Sequence, residues 1–153
     1  TKKMDTKKSK QYYTIGCCGI GCGLCPTFNS AGASACPGCC GRKFKEKHPS
    51  CGVVTCCVIK NGYETCAECI NYPCQKFMTK SAGHDSFVTH KMAHSNLEFI
   101  KKEGITEFIN QQQIRINILS YFLQECNDGR SKNFYCLSCA LLPIEKLQEC
   151  QPT

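Results

Sequence analysis

The apolar residues of this chain recur at helical spacing only in its second half. The pattern predicts a helix capped by Asp85 or Ser86, running to about Lys102 and stopped by Gly104. A longer helix follows, capped by Thr106 and preceded by Ile105. Its Phe108, Ile109, Ile116, Leu119, Phe122 and Leu123 fall near one stripe, and Asn127-Asp128-Gly129 ends it. Ser131 can cap a helix through Leu142, and Pro143 suits the first position of a short last helix. Before Pro73 no such period exists. From Thr14 to Cys74 the chain reads as short turns punctuated by glycine and proline, and Val53-Val54-Thr55 with Val58-Ile59 and Asn61-Gly62 can form a small hairpin. Residues 1–13 read as a flexible basic arm ending in Tyr12-Tyr13.

The expected fold is therefore a small irregular Cys-rich, metal-stabilised lobe over residues 14–76. An α-helical lobe of three to four helices over residues 77–153 packs on it to make one folding unit. Composition sharpens the division. Residues 1–76 hold 13 of the 17 cysteines but only 11 Ile, Leu, Val, Phe or Met, whereas residues 77–153 hold 4 cysteines and 23 of those large apolar residues. The second half can build an ordinary core. The first half cannot fold on hydrophobic burial alone, and structural zinc is a direct source of folding free energy for such a segment.

Charge changes the picture less than its formal value of +7 implies. The opening ten residues carry five Lys and one Asp, so the folded body holds only +3. Each ion bound by four thiolates subtracts a further two, because ligating cysteines are deprotonated. The basic balance is mostly a tail, and Arg42-Lys43-Phe44-Lys45 with Lys47 is the one basic cluster with an aromatic in it. A nucleic-acid partner is not favoured. No apolar run has the length of a membrane span, and the Lys-rich start has no signal-peptide core, so the expected location is the cytoplasm.

The chemistry lies in the cysteine spacing: Cys18-x3-Cys22-x2-Cys25-Pro26, Cys36-Pro37-Gly38-Cys39, Cys51-x4-Cys56 and Cys66-x2-Cys69-x4-Cys74. A C-x2-C turn can direct two sulfurs at one ion, and four sulfurs complete a tetrahedral zinc site. The odd cysteine total and the C-x2-C pairs argue against a disulfide scaffold. Cys17-Cys18, Cys39-Cys40 and Cys56-Cys57 are vicinal, so one ligand is expected from each pair. The candidate ligands are thus Cys18, Cys22, Cys25, Cys36, Cys39, Cys51, Cys56, Cys66, Cys69 and Cys74. They fit two four-cysteine sites with two spares, one such site with a bridged two-metal cluster, or three sites if histidines join. The first three cysteines also have the spacing that holds the cluster of radical SAM enzymes, but this chain has no room for their barrel. An iron–sulfur cluster without that chemistry is the alternative metal reading.

Other candidates weigh less. Cys136 and Cys139 lie three apart on a predicted helix, with Cys126 and Cys150 nearby in sequence, and read first as small buried hydrophobes. His90 and His94 share a helical face but lack an HExxH glutamate, since Lys91 follows His90. His48 is a possible substitute for a cysteine ligand. Asp128 and Arg130 read as turn formers.

At these residues the chain resembles a Cys-rich prokaryotic family, domain of unknown function 3795. The resemblance rests on Cys18-Gly19-Ile20-Gly21-Cys22 to Pro26, Cys36 to Cys39, Cys51 to Cys56, Lys60-Asn61-Gly62, and Cys66 to Cys74 with Pro73 before the last cysteine. Asn96-Leu97, Gly104 and Asn127-Asp128-Gly129-Arg130 to Phe134-Tyr135-Cys136 are similar to a subgroup, so the match spans roughly residues 14–150. Cys17, Cys40, Cys57 and Cys139 depart from the family pattern. The resemblance implies a metal-binding protein of bacteria or archaea with no assigned activity.

The resulting expectation is a module holding two to three zinc ions in closed sites, with an interaction or regulatory role and a protein partner, and with no reaction assigned to it. The alternatives are an iron–sulfur or dithiol redox protein and, behind it, a zinc-dependent nucleic-acid binder.

Overall fold

The structure is a computed structural model describing residues 10–33, 35–47, 51–74 and 92–151. Short helices α1 (Phe44–Lys47) and α2 (Gly52–Val54) lie in the cysteine-rich half, and α3 (Ala93–Glu103), α4 (Ile105–Tyr121), α5 (Lys132–Leu141) and α6 (Ile144–Glu149) build the other half. Gly104 makes the corner between α3 and α4. Its φ of 96° turns the chain, while its N–H donates to Ile100 O at 2.8 Å. Lys101 and Lys102 in the last turn of α3 complement the partial negative charge of that helix end. The stop at Gly104 is as the pattern predicted. The start predicted at Asp85 or Ser86 lies outside the described residues.

Three details differ from expectation. The long helix begins at Ile105, with Gly104 rather than Thr106 at its cap position. Ser131 precedes α5, but its side chain caps no N–H there. Instead Asp128 Oδ1 accepts from Arg130 N and Ser131 Oγ, both at 2.9 Å, closing the turn before the helix. Finally, the predicted hairpin is helical. α2 runs directly into a π-helical segment, Thr55–Lys60, and no strand occurs among the described residues. With no neighbouring strand to pair with, these β-branched residues satisfy their backbone locally, as in Thr55 N to Cys51 O and Gly62 N to Val58 O.

Helix α4 is the axis of the helical half. Leu24, Ile118, Leu119, Phe122, Cys136, Cys139, Ala140 and Leu147 pack as one buried cluster, so α5, α6 and the turn containing Leu24 all close on α4. The two halves share their interior. Leu97 of α3 is fully buried among Cys17, Cys39, Cys57, Val58, Cys66 and Tyr72. Ile15 packs with Ile100 and Phe108. Part of the basic arm is anchored too: Lys10 is buried, and Glu64 holds Lys10 Nζ together with the N–H groups of Gln11 and Tyr12.

Candidate functional site

Two of the three C-x2-C segments in the cysteine-rich half form the same local structure. Cys22–Leu24 and Cys66–Glu68 are single 3-10 turns, each closed by the next cysteine's N–H: Cys25 to Cys22 O and Cys69 to Cys66 O, both 3.0 Å. Each closing cysteine is extended, so the chain leaves the turn at once. Thr65 caps the second turn by accepting from Ala67 N. The Cys36-Pro37-Gly38-Cys39 segment is held against the arm, with Cys39 N donating to Tyr13 O. Gly38 is required here: at φ 87°, a Cβ would stand 2.3 Å from Tyr13 O. A further crossing, Cys66 N to Cys17 O at 2.8 Å, brings the ends of the cysteine-rich half together.

These crossings sort the ten candidate cysteines into neighbourhoods. Cys56, Cys66, Cys69 and Cys74 line one small hollow, together with Cys57, Tyr63 and Tyr72. Its volume, about 20 Å³, is the space of a single atom or one water. At its rim Asn61 Nδ2 donates to Cys56 O at 2.7 Å and lies 3.9 Å from Cys56 Sγ.

The second neighbourhood is Cys18, Cys22, Cys36, Cys39 and Cys51. Burial pushes the Cys18 thiol up to about 11, and the nearby Cys39 and Cys51 add to the cost of ionising it. Burial likewise raises Cys22, with Cys39, Cys18 and Cys36 opposing a second charge beside them. Cys25, which shares the turn of Cys22, acts on Cys136 of the helical half.

The cysteines that spacing left aside join the two neighbourhoods. Cys17, Cys39, Cys57 and Cys66 are buried in one cluster, and the Cys57 thiol donates to Tyr63 O at 3.7 Å. Cys39 acts to favour a Cys17 thiolate, but Cys57 and burial outweigh it, so Cys17 is strongly raised. The neighbouring Cys17, then burial, raises Cys39. Cys40 is pushed up to about 12 by burial and by Cys39. The Lys10 ammonium opposes these shifts at Cys39, Cys40 and Cys57. Spacing did not nominate Cys57, yet it lines the same hollow as Cys56.

As they stand, the thiols are paired with one another rather than caged. Among the described residues no three His, Cys, Asp or Glu side chains form a group that could hold a metal ion. Closing such a group requires loss of protons and rotation about Cα–Cβ bonds, the softest adjustment available to a cysteine.

The remaining candidates fall elsewhere. Cys136 and Cys139 are fully buried in the helical core, as expected of small hydrophobes, with burial as the main cause raising them to about 11 and 12. Cys126 and Cys150 are exposed. His94 is exposed, its Nδ1 hydrogen-bonded to Tyr72 Oη. His48 and His90 lie outside the described residues. Arg42 and Lys43 are exposed, and Phe44 is half-buried.

No family model, curated protein or solved structure matches this chain. Among the described residues no helix is long and apolar enough to cross a membrane.

Proposed function

We propose that the protein is a zinc-thiolate module in which metal and helices together hold one fold, with an interaction or regulatory rather than catalytic role. The observation that carries this reading is the atom-sized hollow walled by Cys56, Cys66, Cys69 and Cys74. These are four of the ten ligands that spacing nominates: Cys56 comes from the π-helical segment, Cys66 and Cys69 from the second 3-10 turn, and Cys74 from the chain beyond it. A thiolate there meets other thiolates, so ionising several of them requires a cation at the centre; a divalent ion supplies that charge and about 2.3 Å bonds to each sulfur. Cys18, Cys22, Cys36, Cys39 and Cys51 supply the donors for a second ion. Their grouping is supported by their mutual electrostatic effect. Asn61 at the rim would donate to a Cys56 thiolate, the outer hydrogen bond that metal thiolates commonly receive.

The test is metal content of anaerobically purified protein, with absorption spectra and native mass spectrometry. Two zinc ions per chain and no visible absorbance are expected. Cys69→Ser should lose one ion and Cys22→Ser the other, while Cys126→Ser keeps both. Iron with acid-labile sulfide and a visible band would replace zinc by an iron–sulfur cluster. The burial of Cys17, Cys39, Cys57 and Cys66 in one cluster favours a second reading, a dithiol redox protein. Metal-free protein whose thiols convert reversibly to disulfides would establish that reading and overturn the first.

A further inference from the structure

One buried cluster contains cysteines of both neighbourhoods. Cys17, Cys39, Cys57 and Cys66 are its buried members, and Cys22 and Cys69 pack against it half-buried. Cys57, Cys66 and Cys69 line the hollow. Cys22 and Cys39 belong to the other donor set, with Cys18 and Cys36. The two sets are therefore contiguous through the interior. Cys17 belongs to neither, yet it lies in the cluster that contains members of both, and it is only 1% exposed.

The backbone ties Cys17 to each set. Cys66, which opens the second 3-10 turn, donates its N–H to Cys17 O at 2.8 Å. On the other side, a Cβ placed on Gly16 would stand 3.5 Å from Cys18 Sγ and 3.5 Å from Cys22 Sγ. Those two sulfurs therefore approach one point, a single residue from Cys17. Electrostatics agrees with this placement: negative charge on Cys57 or on Cys18 opposes ionising Cys17.

A buried thiol can be no more than a small hydrophobe, as Cys136 and Cys139 are. What sets Cys17 apart is that its buried neighbours are themselves candidate ligands. A thiolate without water needs a cation beside it, and its sulfur has lone pairs for more than one. Sharing also lowers the cost of burial. Each thiolate common to two ions removes one negative charge from the interior, and so reduces the charge that must be desolvated.

We propose that the Cys17 thiolate is a ligand common to both zinc ions, so that the two donor sets load as one coupled cluster. This rests on the zinc-thiolate reading above. On loading, Cys17 loses its proton to solvent and its sulfur bonds to both ions, one held with Cys66 and Cys69, the other with Cys18 and Cys22. Either ion then fixes a ligand of the other, and occupancy of one set strengthens the second.

The experiment loads cadmium, in its spin-active isotope, into the anaerobically purified full chain in place of zinc. Two cadmium resonances with a scalar coupling between them are expected, since that coupling passes through a shared sulfur. Spectra correlating cadmium with cysteine β-protons should connect Cys17 to both ions. Native mass spectrometry of metal-free protein titrated with zinc should show the second ion bound at least about five-fold more tightly than independent sites allow. Cys17→Ala should abolish both the scalar coupling and this preference. The β-proton correlation reads the unaltered chain, so the test stands if that variant fails to fold. Two bound ions without mutual coupling would overturn the proposal and leave the zinc module intact. Coupling that persists in Cys17→Ala, or Cys17 β-protons connected to one ion or none, would overturn the assignment to Cys17. A chain that binds no metal would overturn the zinc-thiolate reading itself, and this proposal with it.

Discussion

Lys10 Nζ and Glu64 Oε2 meet at 3.0 Å across 54 residues of sequence, in the interior of the protein. The same carboxylate accepts from Gln11 N and Tyr12 N, so it closes the arm over the thiol half with three donors. Burial alone would raise the Glu64 carboxyl, but those backbone donors and the Lys10 ammonium outweigh it, and the group sits below its ordinary range.

The sign of the pH dependence follows. A carboxyl lowered in the folded state contributes stability above its unfolded value, roughly 4.3, and that stability is lost as pH falls through the folded value. Glu64→Gln should remove this acid-side slope. Breaking a buried pair from one side costs about 3–5 kcal/mol, so urea unfolding at neutral pH should show a large loss. Lys10→Met should cost less, because Gln11 and Tyr12 still donate to Glu64.

Thiol reactivity should divide by depth. Cys126 and Cys150 are exposed, whereas Cys136 and Cys139 are fully buried and raised to about 11 and 12. The thiolate is the reactive form. Timed alkylation at pH 8 read by mass spectrometry should label Cys126 and Cys150 first, with Cys136 and Cys139 labelled only on the timescale of unfolding. Early labelling of the latter pair would mean that α5 does not sit on α4 as described.

Two glycines with similar backbone angles should respond differently to alanine. Gly19 (φ 97°) faces Ala93 O, 2.3 Å from where a Cβ would lie, and Gly32 (φ 85°) faces open space. Gly32→Ala should carry only the conformational penalty, on the order of 1 kcal/mol. Gly19→Ala must also push the loop away from α3, breaking the Asn96 to Gly19 hydrogen bond, and should cost several-fold more. Thermal unfolding of both variants checks the difference.

Leu97 tests whether the halves unfold together. Its side chain belongs to α3 but its neighbours are mostly cysteine-rich. Leu97→Ala should cost about 2–5 kcal/mol. Helical circular dichroism and protection of Cys17 and Cys57 should be lost in one transition. Two separate transitions would show that the shared interior does not couple the halves.

The sequence by itself determined the features that depend on a few adjacent residues. Gly104 ends a helix because only a residue free at positive φ makes that corner, and Asp128 shapes its turn through neighbouring donors, whereas Pro143 stands at the extended cap before α6 rather than at its first helical position. The helical character of residues 93–149 was likewise legible from the apolar period, whereas the short helices among the cysteines were not. Which thiols meet was decided by tertiary structure. Cys17 and Cys57, set aside as spares, are buried in one cluster with Cys39 and Cys66. Spacing fixes direction over one turn, but the crossings Cys66 to Cys17 and Cys39 to Tyr13 set the partners, and these join residues far apart in the chain. The same reason hid Lys10 and Gln112. Each is polar by type and buried by a long-range partner, Glu64 in one case and Thr14 in the other. Val53 to Ile59 is helical for a related cause: β-branched residues make strands only where another strand lies alongside, and none does among the described residues.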